Sequence, residues 1–251
     1  MRLLALDTST STGGAALWEN GHIQDEILLE VAATHSERLL PAVASLMSAA
    51  GWEGSSLAAI AVAVGPGSFT GLRIGVTTAK ALAYGWSLPL IGVSTLEAMA
   101  WQIAGRSGIV APIINARRER VYAAAYDVSA CPAALPKTLL APINQRADRF
   151  FQSLIDLALA SRQSDGAPAG QPIIIIGEDI SLFKEQIDKV LRERWQPLPA
   201  PLHVLRPGSV ASLGAKRFAQ GEQHDLFSLT PHYVRKAEAE IKWERAHQPS
   251  P

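Results

Sequence analysis

Two segments of the chain hold groups that could handle an anion. Asp7-Thr8-Ser9-Thr10 stands where an apolar run ends, in a turn of hydroxyls that continues to Gly13-Gly14. Such a turn can offer N–H and O–H donors to a phosphate, and an aspartate at a strand end can hold a hydrated magnesium ion. The same residues also suit a hairpin loop whose Asp and Ser side chains satisfy their own backbone. The second segment, Gly65-Pro66-Gly67-Ser68-Phe69-Thr70-Gly71, delivers a strand into a helix N-terminus, where an anion is welcome. Its GxGxxxG spacing is neither a P-loop nor a Rossmann fingerprint, and the nearest basic residue is Arg73. It equally suits a tight strand-to-helix turn in which glycines permit close packing.

Other chemistry is excluded or poorly supported. Cys131 stands alone, so no intrachain disulfide, zinc ribbon or CxxC pair can form. No two of the six histidines lie closer than eight positions, so HExxH-type zinc pairs are absent. No Ser/His/Asp or Cys/His set can be assembled, and no catalytic residue or metal ligand is assigned. His35 precedes a capped helix and reads as a capping or interface residue. Arg117, Arg118 and Arg120 read as a solvated hairpin tip before they read as a phosphate or RNA contact. Residues 235–245 mix signs and read as an exposed tail segment. With 23 basic and 23 acidic side chains the formal charge is zero, which argues against a dedicated nucleic-acid or anionic-membrane binder. The opening apolar run is too short for a signal peptide, and the longest one, residues 57–64, is far short of a bilayer span. A soluble cytoplasmic protein is expected.

The elements that must position these groups can be read from hydrophobic period. At 251 residues, 48% apolar and 18% charged, the chain is expected to fold as one or two compact units. Residues 2–6, 15–18 and 23–31 read as strands, with Asn20-Gly21 a hairpin turn. Thr34-x-x-Glu37 fits a capping box. Leu39, Leu40, Val43, Leu46, Met47 and Ala50 then recur at helical spacing until Gly51. Pro41 either kinks that helix or marks a later start. Residues 57–64 read as a buried strand, a helix runs from the glycine turn to about Tyr84, 89–93 is a strand, and Ser94 caps a helix to about Ala104.

The second half repeats the order. Strands are expected at 109–115, 121–126 and, weakly, 138–140. A helix follows over 145–160, then a loop over 161–171, a strand at 173–176 and helices over 181–195 and 210–219. The fold class is therefore α/β with duplicated βββαβα lobes, residues 1–104 and 105–251, enclosing a cleft.

The helix after the glycine turn carries more apolar surface than one sheet contact needs. At 100° per residue, Arg73, Thr77, Lys80 and Tyr84 fill a wedge about 60° wide, and small or apolar residues with Thr78 fill an arc of about 220°. A single stripe of about 100° would suffice to cover a sheet. Gly71, Gly75 and Ala79, at i, i+4 and i+8, would admit another helix closely, by analogy with membrane helices. The expected partner surface is His35, Leu39, Leu40, Val43, Met47, Gly71, Leu72, Gly75, Val76 and Ala79. Gly75→Glu is expected to abolish pairing and spare the isolated fold.

Several motifs together resemble the bacterial TsaB (YeaZ) family. They are Leu4-Ala5-Leu6-Asp7-Thr8-Ser9, Thr34-His35-Ser36-Glu37-x-Leu39-Leu40-Pro41, Gly65-Pro66-Gly67-Ser68-Phe69-Thr70-Gly71-Leu72-Arg73-Ile74-Gly75 and Gly92-Val93-Ser94-Thr95-Leu96. Asn115-Ala116-Arg117-Arg118-x-x-Val121-Tyr122 resembles its second-lobe hairpin, with Asn115 where the family has Asp. The likeness is strong to about residue 126 and weaker beyond, apart from Pro231-x-Tyr233-x-Arg235.

The resemblance implies the actin/Hsp70-like (ASKHA) fold and a role in making threonylcarbamoyladenosine in tRNA. It implies a non-catalytic subunit pairing with a TsaD-like paralogue through the first two helices, joined by a TsaE-like ATPase, with self-association through the same surface. ATP or ADP and a metal would enter through partners, and tRNA only within the complex. The catalytic paralogue's His-x-x-x-His pair is missing from Ser94-Thr95-Leu96-Glu97-Ala98-Met99. Asp7, Thr8 and Ser9 are the candidate nucleotide contacts, but Gly177-Glu178-Asp179 is acidic where an adenosine would dock. The rival expectation is a stand-alone nucleotide phosphotransferase or a metallopeptidase-like enzyme.

Overall fold

A computed structural model describes residues 1–30, 35–160 and 171–234. The first half contains β1 (Arg2–Asp7), β2 (Thr12–Glu19), β3 (His22–Glu30), α1 (His35–Ala50), β4 (Ala59–Gly65), α2 (Phe69–Trp86), β5 (Leu90–Ser94) and α3 (Thr95–Trp101). The second contains β6 (Ile109–Asn115), β7 (Arg120–Asp127), β8 (Lys137–Arg146), α4 (Ala147–Ala160), β9 (Ile173–Ile176), α5 (Lys184–Leu191) and α6 (Pro207–Ala219). The sheets run β3-β2-β1-β4-β5 and β8-β7-β6-β9, so the second repeats the first less one edge strand. In each, a three-strand antiparallel meander is extended by parallel pairing, β1 with β4 and β6 with β9. This is the duplicated βββαβα order of the actin/Hsp70-like fold.

Local chemistry explains most boundaries. Strands β1 and β4, inside the first sheet, and β9, at the edge of the second, are covered on both faces, so their sequences are near-continuous apolar runs. Asn20 and Gly21 both take positive φ, 48° and 98°, which is the two-residue hairpin geometry. Ser94 caps α3 by accepting from the Glu97 N–H. Pro41 lies inside α1 on its exposed side, where water can bond the carbonyl one turn back that loses its N–H partner to the proline ring. Thr34 of the expected capping box, the loop over 161–170, and the tail from 235, with Arg235 and the mixed charge run, lie outside the described residues. The expected strand at 138–140 is part of the longer β8. The expected helix over 181–195 is three pieces: a 3₁₀ turn at Ile180–Phe183, α5, and a second 3₁₀ turn at Arg192–Arg194. The break falls where Arg192 takes a φ of 50°.

Packing does not follow the division at 104/105. α6 lies across β1, β2, β3 and β4 of the first sheet. Its Val210, Ala211 and Leu213 share a core with Leu3, Ala5, Ala16 and Ala61. Beyond α6 the chain stays on the first lobe: the His224 N–H donates to Leu90 O (2.8 Å) and the His232 N–H to Val64 O (2.6 Å). In turn α3 packs on β6 and β7. The expected assignment of all of 105–251 to a second lobe is corrected accordingly. Over β1, β2 and β3 this face of the first sheet takes its cover from α6, while α3 reaches β4 and β5.

The Arg217 guanidinium ties this exchange together. It donates to Glu97 of α3 (2.5 Å) and to Glu222 (2.7 Å). Burial raises the Glu97 carboxyl above its ordinary range, with the Arg217 charge opposing. Removing the cation would leave a buried carboxylate unpaired, so Arg217→Met is expected to cost about 3 kcal/mol in urea unfolding. Adding Glu97→Leu should recover most of that loss.

Candidate functional site

β1 ends at Asp7, and Asp7, Thr8 and Ser9 are almost wholly buried. Their polar groups are largely spent within the chain. Asp7 Oδ1 accepts from the Ser9 N–H (2.9 Å) and the Ser9 hydroxyl (2.6 Å). Thr8 Oγ1 donates to Gly71 O (2.6 Å), and the Ser68 N–H donates to Ser9 O (2.7 Å). The glycine turn and α2 are thus clamped onto the β1–β2 hairpin. A Cβ at Gly71 would lie 2.0 Å from Thr8 O, and one at Gly75 would lie 2.4 Å from Thr8 Oγ1. The small-residue spacing therefore admits this chain's own hairpin, which corrects the expectation that it admits a partner helix.

From the second lobe Glu178 reaches over the same hairpin. Its Oε1 lies 2.5 Å from Thr10 Oγ1, and its Oε2 accepts from the Ser11 N–H (3.2 Å) and the Ser11 hydroxyl. Thr10 and Ser11 belong to the same hydroxyl-rich turn, and sequence alone does not single them out as contacts. A pairing across 168 positions leaves no local signal.

The expected partner surface is mostly core. Leu39, Val43, Met47, Leu72, Val76 and Ala79 are buried under the chain's own strands, as are Gly71 and Gly75. They cannot supply contact area to another molecule, and that assignment is corrected. Leu40 is the exception, at 51% exposed. The His35 side chain lies outside the described residues. What the chain leaves open is the next arc of α2: Ala81 is exposed and Ile74, Thr78 and Leu82 are half-buried. On α1, Pro41 and Ala44 are exposed beside Leu40. The charged wedge is instead dressed by the last described segment. Arg73 stacks on Phe69 at 3.9 Å and donates to Tyr233 Oη (3.1 Å), while Lys80 donates to Phe227 O (3.1 Å).

The second-lobe hairpin turns at Arg117, Arg118 and Glu119, all left-handed. Arg120 is engaged with Asn144 (2.6 Å), and Arg146 pairs with Glu119 (3.1 Å). Asn115 Oδ1 accepts from the Arg117 N–H (2.9 Å). Among the described residues there is no group of three His, Cys, Asp or Glu side chains placed to hold a metal, and no helix long and apolar enough to cross a membrane.

Comparison with known proteins gives these features a family. The model for TsaD, tRNA N6-adenosine threonylcarbamoyltransferase, matches residues 29–243. The tRNA threonylcarbamoyladenosine biosynthesis protein TsaB of Bacillus subtilis is 35% identical over 97% of this chain and 98% of its own length. The chain belongs to the TsaB family. The Escherichia coli TsaB is 42% identical over 130 residues, 51% of this chain and 55% of the relative. Among solved structures, YeaZ from Pseudomonas aeruginosa superposes with a TM-score of 0.74 at 26% identity, covering 92% of this chain and 99% of that one. A Pseudomonas aeruginosa protein described as similar to peptidase YeaZ gives 0.74 at 27% identity, covering 93% and 99%.

The fold of the TsaB family raises the question of a nucleotide, and the residues present do not fit one. The Ser11 donors face the Glu178 carboxylate, the Thr10 hydroxyl is within its reach, and the Asp7 carboxyl is sealed beneath. Burial pushes Asp7 up to about 7, Ser9 opposes, and the Glu178 charge adds to the rise. Asp7 Oδ2 is buried without a hydrogen-bond partner among the described residues. An acid whose folded value is raised favours the fold below its unfolded value near 4, and loses that contribution as pH climbs through about 7. Asp7→Asn keeps an acceptor for Ser9 and removes the titration. It is expected to match the native protein at pH 4 and exceed its unfolding free energy by roughly 2–4 kcal/mol at pH 8. Urea melts at both pH values check this.

Proposed function

We propose that this TsaB-family protein is the non-catalytic partner subunit of the tRNA threonylcarbamoyladenosine complex. It pairs with a TsaD-like catalytic paralogue and supports threonylcarbamoyl transfer to the adenosine beside the anticodon. The observation that carries this reading is the outward arc of α1 and α2. Leu40, Pro41 and Ala44 on α1, and Ala81 with half-buried Ile74 and Leu82 on the adjoining α2, are apolar side chains that the described residues leave wholly or partly uncovered. Desolvating such a face against a matching one stabilises a pair without any chemistry on this chain. A TsaE-like ATPase joins the pair, and a second copy of the chain occupies the face in the partner's absence. Nucleotide, metal and tRNA are handled through the partners, in the cytoplasm.

The rival reading is a stand-alone phosphotransferase or metallopeptidase-like enzyme. The first needs phosphate donors that Glu178 already engages, and the second needs a ligand cluster that the described residues do not form. The deciding experiment mixes the chain with its TsaD-like paralogue and an unmodified tRNA, and measures stoichiometry and modification for each protein alone and for both together. A defined complex, with modification only in the mixture, is expected. Phosphate transfer or peptide cleavage by the isolated chain would overturn the reading.

A further inference from the structure

We propose that Glu178 is a built-in substitute for a phosphate group: it occupies the donor hairpin of the first lobe from the second lobe and closes the cleft to external anions. This goes beyond the role as a partner subunit and stands independently of it.

The contact has the features of an anion site already filled. Two consecutive residues, Thr10 and Ser11, meet one carboxylate: the Ser11 N–H and hydroxyl donate to Oε2, and the Thr10 hydroxyl, whose single proton also has Thr12 O within reach (2.9 Å), lies beside Oε1. Convergent donors of this kind are how a turn receives a phosphate or carboxylate, and bonds to an ionised acceptor are the stronger ones. The hairpin is held rigidly enough to act as a receptor. Below it, Ser9 is bonded to Asp7 and to Ser68, and Thr8 to Gly71. The ligand arm is pinned as well. β9 leads into Gly177, where a Cβ would lie 2.1 Å from Ile113 O, so the turn is pressed against β6 and projects its next residue across the cleft. The contact links residues 167 and 168 positions apart, and it joins the lobes at the cleft.

An external phosphate entering here would meet a carboxylate of its own sign on the donors it requires. Same-sign groups at this range oppose each other, and donors cannot serve two acceptors at once. The substitute therefore accounts for an anion-receiving hairpin that is filled from within the chain. It also secures the lobes against each other without a ligand.

The test uses the full chain and inorganic tripolyphosphate with magnesium as the probe, followed by calorimetry. The native chain should give no binding at millimolar probe. Glu178→Ala, which empties the hairpin, should bind at least tenfold more tightly than the native chain. Adding Ser11→Ala to it should cost most of the gain, which locates the site at the hairpin. Glu178→Gln keeps the shape and removes the charge, and should fall between the two. It carries the test if the alanine variant does not fold. Equal binding by native and variant chains, silence of both variants, or a gain that survives Ser11→Ala would overturn the proposal. None of these results depends on pairing with the paralogue, whose loss would be seen only in the mixed experiment.

Discussion

A chain carrying Gly75→Glu is expected not to fold. The position looks like an interface site in sequence, but its missing side chain is what lets α2 sit on the β1–β2 hairpin. A Cβ there would meet Thr8 Oγ1 at 2.4 Å and approach Val62 at 3.8 Å. The first carbon alone overpacks a close-fitting contact, worth about 1–3 kcal/mol. The carboxylate beyond it would be buried without a cation, which adds several more. The sum, ~5 kcal/mol or more, is comparable to the whole stability of an ordinary domain. Soluble yield and far-ultraviolet circular dichroism would report it. Gly75→Ala should fold but melt earlier, by about 2 kcal/mol. A soluble, native-like Gly75→Glu chain that merely failed to pair would restore the original assignment.

The second large effect is expected on the neighbouring arc of the same helices. Leu40→Glu combined with Ala81→Glu should weaken association with the TsaD-like paralogue by at least about a thousandfold, some 4 kcal/mol. It should leave the melting temperature of the isolated chain within about 2 °C, because surface changes away from packed features cost little. Leu40 is 51% exposed and Ala81 is open, so neither change disturbs the core. Two carboxylates at the centre of an apolar contact would be desolvated without partners, which is the most damaging place for them. Sedimentation of the mixed proteins and tRNA modification rates should fall together. Leu39→Glu, one residue away, should instead unfold the chain, since Leu39 is 1% exposed. Undiminished pairing by the double variant would move the contact elsewhere.

The contrast between Leu39 and Leu40 shows where sequence reading reaches its limit. Periodicity found α1 and α2, and an arc calculation found that α2 is more apolar than one contact needs. It could not say which part of the arc the chain covers itself. The covered part is Gly71, Leu72, Gly75, Val76, Ala79 and Ala83, because Thr8 and the central strands lie there. The uncovered part is the neighbouring arc. Strands β1, β4 and β9 were legible because burial on both faces writes an apolar run. The end of β8 was not, because Pro142, Asn144 and Gln145 at a sheet edge resemble a loop. In the cleft, Asp7, Thr8 and Ser9 could be singled out by type. Their occupation by each other and the arrival of Glu178 depend on a lobe closing over them, and the same closure hides the crossing of α6.

That crossing has a consequence for how the molecule is made. Leu3, Ala5 and Ala16 receive their cover from Val210, Ala211 and Leu213, some two hundred residues later in translation. At about 5–20 residues per second, the earliest strands spend roughly 10–40 s with a greasy side unprotected while the ribosome works toward the closing helix. Newborn copies are therefore at their most adhesive before the last segment emerges, and holdase chaperones have most to offer them during that interval.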